Sequence, residues 1–279
     1  MTTPDATPAA APRHARASSA RVRRNRVALL VAFVAVLAGT LYMLRGPVLG
    51  LRVTRVEVRA GQSAETVAAH VVKATGWDPS AVAAAFSDPA AAGVPGGAAS
   101  IEGWLAPDVY DVPAKDTPAA LVAEMVTRRR AQVTSLRLEA AASAQHRTVA
   151  ELITIASVAQ AEAIPSQYGQ VARVVTNRLA AQMPLQMDAT LNYAKKTHEL
   201  AHNAKDLSDP SLFNSYNRQG LPPTPIGNPD ERALVAAASP PTGPWLYFVL
   251  TNHDGTQLFT ANYDEFLKAK AKAKADGLF

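Results

Sequence analysis

Glu162 is the carboxyl of this chain best placed by sequence for acid–base chemistry. Thr148 and Glu151 have the Thr-x-x-Glu spacing of a capping box, in which a hydroxyl and a carboxylate satisfy the first free amides of a helix. The spacing predicts a helix over 149–164, ended by Pro165. Successive helical residues rotate by ~100°, so Leu152, Ile155, Ala159 and Glu162 fall within about 80° of one another and Glu162 shares the apolar face. It also lies in the last turn, where the negative end of the helix dipole opposes a further negative charge. Apolar surroundings and the dipole both favour the protonated carboxyl and so raise its pKa. An acid held neutral near pH 7 is what protonating a leaving-group oxygen requires. From the spacing alone the plainer reading, a solvated glutamate or one paired with a neighbouring arginine, is the usual one for a lone Glu near a helix end.

The other reactive side chains have simpler explanations. Glu151 is the capping partner, and Glu102 and Asp108 flank a glycine and a proline, where turn formation explains them as well as catalysis does. His198 and His202 stand at i, i+4, a spacing that can bind zinc. No adjacent acid completes a metallohydrolase motif and the segment is polar, so a solvated helix is expected there and no metal site. No serine sits in a G-x-S-x-G elbow and no glycine-rich phosphate loop is present, so no cofactor is expected. The absence of cysteine excludes disulfides, thiolate zinc sites and a cysteine nucleophile.

The 279 residues carry 28 Lys plus Arg against 23 Asp plus Glu, a formal charge of +5. Residues 1–26 contain six arginines (Arg13, Arg16, Arg21, Arg23, Arg24, Arg26) and a single acid, Asp5, so the whole surplus belongs to this tail. The remainder is electrically balanced, which argues against a nucleic-acid-binding body. The tail is rich in Ala, Pro, Thr and Ser and is expected to be disordered. Val27–Leu44 then runs for eighteen residues without a charge, just long enough to cross a bilayer core of ~30 Å. Its apolar stretch exceeds that of a usual signal peptide and ends in Tyr42-Met43-Leu44 instead of small residues, so an uncleaved anchor is expected. The arginine-rich flank places the N-terminus in the cytoplasm and the body outside the cell membrane.

Beyond the anchor the pattern is α+β. Arg52–Arg59 alternates like a strand, Ala64–Ala74 has helical spacing, and Trp77-Asp78-Pro79-Ser80 starts a second short helix. Residues 45–99 thus form a small module that ends in an Ala/Gly/Pro-rich linker from Asp88 to Ser100, and a larger unit spans 100–279. That unit is expected to contain a long helix from Thr117 to about Ala142, the Glu162 helix, a helix over Tyr168–Gln182, and a loop-rich stretch from Pro184. It closes with a buried strand at 245–250 and a hairpin turn at Asn252-His253-Asp254-Gly255. The alternating Lys268, Lys270, Lys272 and Lys274 read as a solvated helix end.

Seven segments stand in the order IEGWLAPDVYDVP (101–113), IASVAQAEA (155–163), VVTNRL (174–179), MPLQMDATLNYA (183–194), SLFNSY (211–216), GLPPTPIGNP (220–229) and WLYFVL (245–250). Together they resemble the YceG-like endolytic transglycosylases of peptidoglycan, the MltG family. The first is similar to the family's EGxLxPDTY, the second to ASIVEKE, the fourth to MPLQSDPT and the fifth to SPYNTY. The resemblance covers about residues 53–266. It implies a LysM-like subdomain over 45–99, a mixed α+β catalytic domain over 100–279, and a single N-terminal anchor.

The resemblance further implies that Glu162 is the catalytic acid, cutting between MurNAc and GlcNAc to leave 1,6-anhydroMurNAc ends and so ending strand growth. Gln186, Asp188, Asn214 and Tyr216 match motif positions that would line the glycan cleft, and Glu102 and Tyr110 would support it; for each, a purely structural role explains the residue equally well. Its partners would be peptidoglycan strands, the membrane and, by family analogy alone, peptidoglycan synthases. Several positions depart from the motifs: Gln160 replaces the first helix acid, Met187 and Ala189 replace Ser and Pro, and Thr224 replaces Gly. Gln257 and Phe266 stand where histidines are common. These departures motivate a rival reading as a catalytically weak glycan-binding scaffold. A hydrolytic muramidase, with Asp188 as the second carboxylate, is the third reading.

Overall fold

The computed structural model describes residues 53–279 except 97, 99 and 198–202. The expected tail, the membrane segment 27–44 and the His198/His202 pair lie outside the described residues. From Val53 onward the chain forms one contact unit of mixed α+β class.

Strand β1 (Val53–Val58) leads into α1 (Ala64–Thr75) and α2 (Pro79–Ser87), and β2 (Asp108–Pro113) returns antiparallel to β1, pairing Val53 with Pro113 and Val58 with Asp108. Ser63 and Asp78 cap the two helices with their side chains, and Gly76 in the left-handed region ends α1. Helices α3 (Pro118–Ser135), α4 (Leu138–Ala144), α5 (Val149–Glu162) and α6 (Tyr168–Ala180) follow. Then come α7 (Asp188–Lys195), the single turn α8 (Ala204–Leu207) and α9 (Glu231–Ala238). A hairpin of β3 (Tyr247–Leu250) and β4 (Gln257–Thr260), paired Leu250 to Gln257, precedes α10 (Tyr263–Ala275).

Helix α5 is the axis of the core. Thr148 and Glu151 form the predicted capping box. Residues Leu152 through Ala159 are all buried, so the helix is not amphipathic as its spacing implies. The reason is that α4, α6, α7 and α9 pack around it. Each fully buried Leu or Ile there contributes about 1.5–3 kcal/mol of apolar transfer free energy.

Three expectations change. The long helix over 117–142 is two helices, broken where Arg137 takes a left-handed conformation at φ 54°. The Ala/Gly/Pro-rich stretch expected as a linker buries Ala92 and Val94 in the main core, and turn bonds from Ala92 N–H to Asp88 O (3.1 Å) and Val94 N–H to Pro89 O (2.9 Å) shape it. Small residues erase its periodicity while still filling space. The loop-rich stretch after Pro184 contains α7 and α9, both too short to display a clear helical period.

The loop 220–229 is clamped between the small module and α5. Gly61 N–H donates to Asn228 O (2.8 Å) and Asn228 N–H donates to Gln62 O (2.9 Å). At Gly227 a Cβ would lie 2.6 Å from Gly61 O, a backbone atom that has no room to move. Gly227→Ala is therefore expected to destabilise the full chain by about 1–3 kcal/mol, read as a lower denaturant midpoint at unchanged slope. An unchanged midpoint would refute this close approach.

Candidate active site

Glu162 ends α5, and its carboxylate oxygen Oε1 accepts the Ala189 N–H at 2.8 Å. Ala189 is the second residue of α7, so the carboxyl closing one helix faces the amides opening another. Burial is the main cause that pushes the Glu162 carboxyl up, from an ordinary value of 4.5 to about 7. The Asp188 charge adds to the rise, while the Ala189 N–H and the Arg178 guanidinium oppose it. The raised acid read from the sequence is thus present, with a restraint from α7 that helix spacing alone did not reveal.

The turn before α7 is held by hydrogen bonds from the 211–216 loop. Gln186 N–H donates to Ser215 O (2.9 Å), and Met187 N–H donates to the buried Ser215 Oγ (2.9 Å), which also pairs with Thr190 Oγ1 at 2.8 Å. Gln186 itself takes a left-handed backbone conformation, φ 49°, unusual for a non-glycine residue. Tyr216 Oη donates to Asp188 Oδ1. Burial and this carboxylate both push the Tyr216 hydroxyl well above its usual range, so it remains a proton donor to Asp188 at any working pH.

Behind this group Arg178 is buried, donating from Nε to Leu246 O (2.7 Å) and from Nη1 to Leu185 O (2.5 Å). It lies 5.6 Å from the centre of the Tyr247 ring. Desolvation lowers its pKa without discharging it. It supplies a fixed positive charge near Glu162, and its signal in the sequence was an arginine at i, i+4, i+7 spacing from Val171 and Val175. Gln257 Nε2 donates to the backbone oxygen of Glu162 at 2.7 Å and so ties the β3–β4 hairpin to the end of α5.

The structure therefore brings Glu162, Asp188 and Tyr216 together, with Gln186 exposed beside them. Asn214 is fully buried and spends its amide on Leu207 O (3.0 Å) and Asp209 O (2.8 Å), bracing the loop. Tyr110 is fully buried, donates to Ala106 O (2.6 Å) and carries Arg128 over its ring, which is a packing role. Glu102 reaches the site only through α7. Its carboxylate accepts Ala64 N–H (3.0 Å), Tyr193 Oη (2.9 Å) and Asn228 Nδ2 (3.4 Å), and burial pushes it to about 7. Glu102→Ala leaves these donors without an acceptor and is expected to cost about 2–4 kcal/mol of stability. Chemical denaturation at pH 6 of the full chain checks this, and a loss under 0.5 kcal/mol would contradict it.

The departures from the motifs acquire roles. Gln160 Oε1 accepts Asp230 N–H at 2.7 Å, a task an amide performs as well as a carboxylate. Met187 is fully buried in the core. Phe266 stacks on Tyr247 at 5.4 Å, next to Arg178.

A family model described as the YceG-like family matches residues 37–272. The chain belongs to this family. It is 33% identical over 174 residues to an endolytic murein transglycosylase of Bacillus subtilis, an overlap covering 62% of this chain and 48% of the relative. It is 28% identical over 171 residues to an endolytic murein transglycosylase of Streptococcus pneumoniae, covering 59% of this chain and 31% of that one. The chain thus spans about half or less of the length of these curated relatives. The crystal structure of a yceG-like protein from Listeria monocytogenes superposes with a TM-score of 0.68 at 26% identity, covering 77% of this chain and 75% of that one. The YceG-like fold is therefore shared over 77% of this chain.

Proposed function

We propose that this chain is a membrane-anchored endolytic murein transglycosylase that cuts the MurNAc–GlcNAc bond of nascent peptidoglycan and ends strand elongation. The observation that carries the reading is Glu162, a part-buried carboxyl raised to about 7 and oriented by the Ala189 N–H. The YceG-like membership and the named activity of the Bacillus and Streptococcus relatives support it.

In the first step the neutral Glu162 carboxyl gives its proton to the glycosidic oxygen. The C1–O bond breaks and its electron pair stays with the departing GlcNAc O4. The C6 hydroxyl of MurNAc then attacks C1, and its proton passes to the Glu162 carboxylate, restoring the acid. Water is not consumed, and one carboxyl serves both steps where ordinary glycosidases use a pair. During the interval in which Glu162 is ionised, the Ala189 N–H and the Arg178 charge stabilise it.

The anchor over 27–44, the cytoplasmic tail 1–26 and an extracytoplasmic body from about residue 45 complete the proposal, on the charge and hydropathy of those segments. The strand and two short helices of β1, α1 and α2, closed by β2, support a LysM-like module; we extend it to Pro113, because the sheet crosses the boundary at 99/100. A hydrolytic muramidase is the second reading, favoured by the Asp188 charge that already acts on Glu162. Incubating the full chain in detergent with long glycan strands tests endolytic cutting: mean strand length should collapse early, whereas steady release of terminal disaccharides at constant strand length would contradict it.

A further inference from the structure

Beside the Asp188–Tyr216 pair an open groove of about 730 Å³ is lined by residues of the 212–223 loop and by Pro184. This volume falls among those of small-molecule sites, roughly 300–1,000 Å³. Phe213, Tyr216, Leu221 and Pro222 give it apolar and aromatic walls. Among the described residues that line it, Arg218 is the one charged side chain and none is an acid. Its guanidinium is steadied by two carbonyls, Nε donating to Ser211 O (3.2 Å) and Nη2 to Pro210 O (3.1 Å), which leaves Nη1 for another acceptor.

We propose that this groove seats the peptide stem of the muramic acid residue being cut, with a stem carboxylate on Arg218. The inference rests on the transglycosylase reading and names the part of the substrate that branches away from Glu162. Charge complementarity selects the occupant: the sugar backbone of the glycan is neutral, and the stem is the portion that combines carboxylates with apolar side chains. Tyr216 joins the two sites, since its ring lines the groove and its hydroxyl holds Asp188 one residue from Ala189. A planar guanidinium fixed by two carbonyls meets a carboxylate in a preset orientation, which a lysine could match in charge but not in geometry.

The test uses the full chain in detergent and a soluble muramoyl tetrapeptide, either with free carboxylates or with these amidated, and measures binding by calorimetry. The free-acid peptide should bind about tenfold tighter than the amide, and Arg218→Gln should remove that difference while Arg218→Lys keeps part of it. Glycan strands with intact stems should likewise show a lower KM than strands stripped of stems, with the preference lost in Arg218→Gln. Equal binding of acid and amide, or a preference untouched by Arg218→Gln, overturns the proposal even if cleavage is normal. Carboxylate-dependent binding through Arg218 with no cleavage of any strand would instead sink the transglycosylase reading and leave the groove assignment standing.

Discussion

Glu162→Gln should lower glycan cleavage by ~10³-fold or more while leaving the fold intact and, at alkaline pH, more stable than the parent. The loss is large because the same carboxyl is asked to donate a proton and then to take one back, each step being worth typically 10²–10⁴-fold. The gain follows from proton linkage. Glu162 sits at about 7 in the folded chain against an ordinary 4.5, so between those values the folded state binds more protons than the unfolded state. Its contribution to stability is whole below about 4.5, declines as pH rises through that window and is gone above 7. Glutamine carries no titrating proton and escapes the loss. At pH 8 the variant should therefore be more stable by ~1–3 kcal/mol, with the difference vanishing near pH 4. Paired denaturant melts at the two pH values, with cleavage assays on the same samples, check both halves. Retained cleavage would remove Glu162 from the active centre.

Ala189→Pro should move the alkaline limb of kcat/KM upward by about one pH unit and lower the maximum about tenfold. The Ala189 N–H at 2.8 Å favours the ionised Glu162, and proline has no N–H to donate. A hydrogen bond to a charged group is worth ~1.5–3 kcal/mol, which corresponds to about one to two pH units. Without it the acid stays protonated to higher pH, while the base needed in the second step is less stabilised and less well aimed. Proline is tolerated in the first turn of a helix, and the related MPLQSDPT run carries it at this place, so the variant is expected to fold. The pH profile from 5 to 9 decides the matter, because a merely structural defect would lower the curve without displacing its limb. An undisplaced limb would show that the Ala189 amide does not tune the acid.

How much of this was legible beforehand depends on the kind of signal. The capping box at Thr148 and Glu151, the position of Glu162 at the helix end and the hairpin around Asn252–Gly255 are local patterns, and the structure has them where the spacing puts them. Glycine and alanine hid the packing of residues 88–100, because small side chains fill a core without marking a period. The full encirclement of α5 was not readable from one segment, since besides its neighbours α4 and α6 it depends on α7 and α9, which lie further along the chain. The most consequential contact at the site comes from the backbone of Ala189, which no side-chain pattern announces. Asn214 matches a cleft position of the motifs and Tyr110 a supporting one, and their hydrogen bonds, which brace a loop and a strand, suit the structural role that the motifs leave open for both.

The chemistry of the new chain end tests the central claim most directly. The full chain, in detergent, is incubated with polymeric glycan strands in water enriched in ¹⁸O, and the terminal muramic acid of each product is weighed. Ring closure by the sugar's own C6 hydroxyl predicts ends lighter than the reducing sugar by one water and free of solvent oxygen. Reducing ends carrying ¹⁸O from the outset would contradict the account and give the reaction to water, with Asp188 as its second carboxylate.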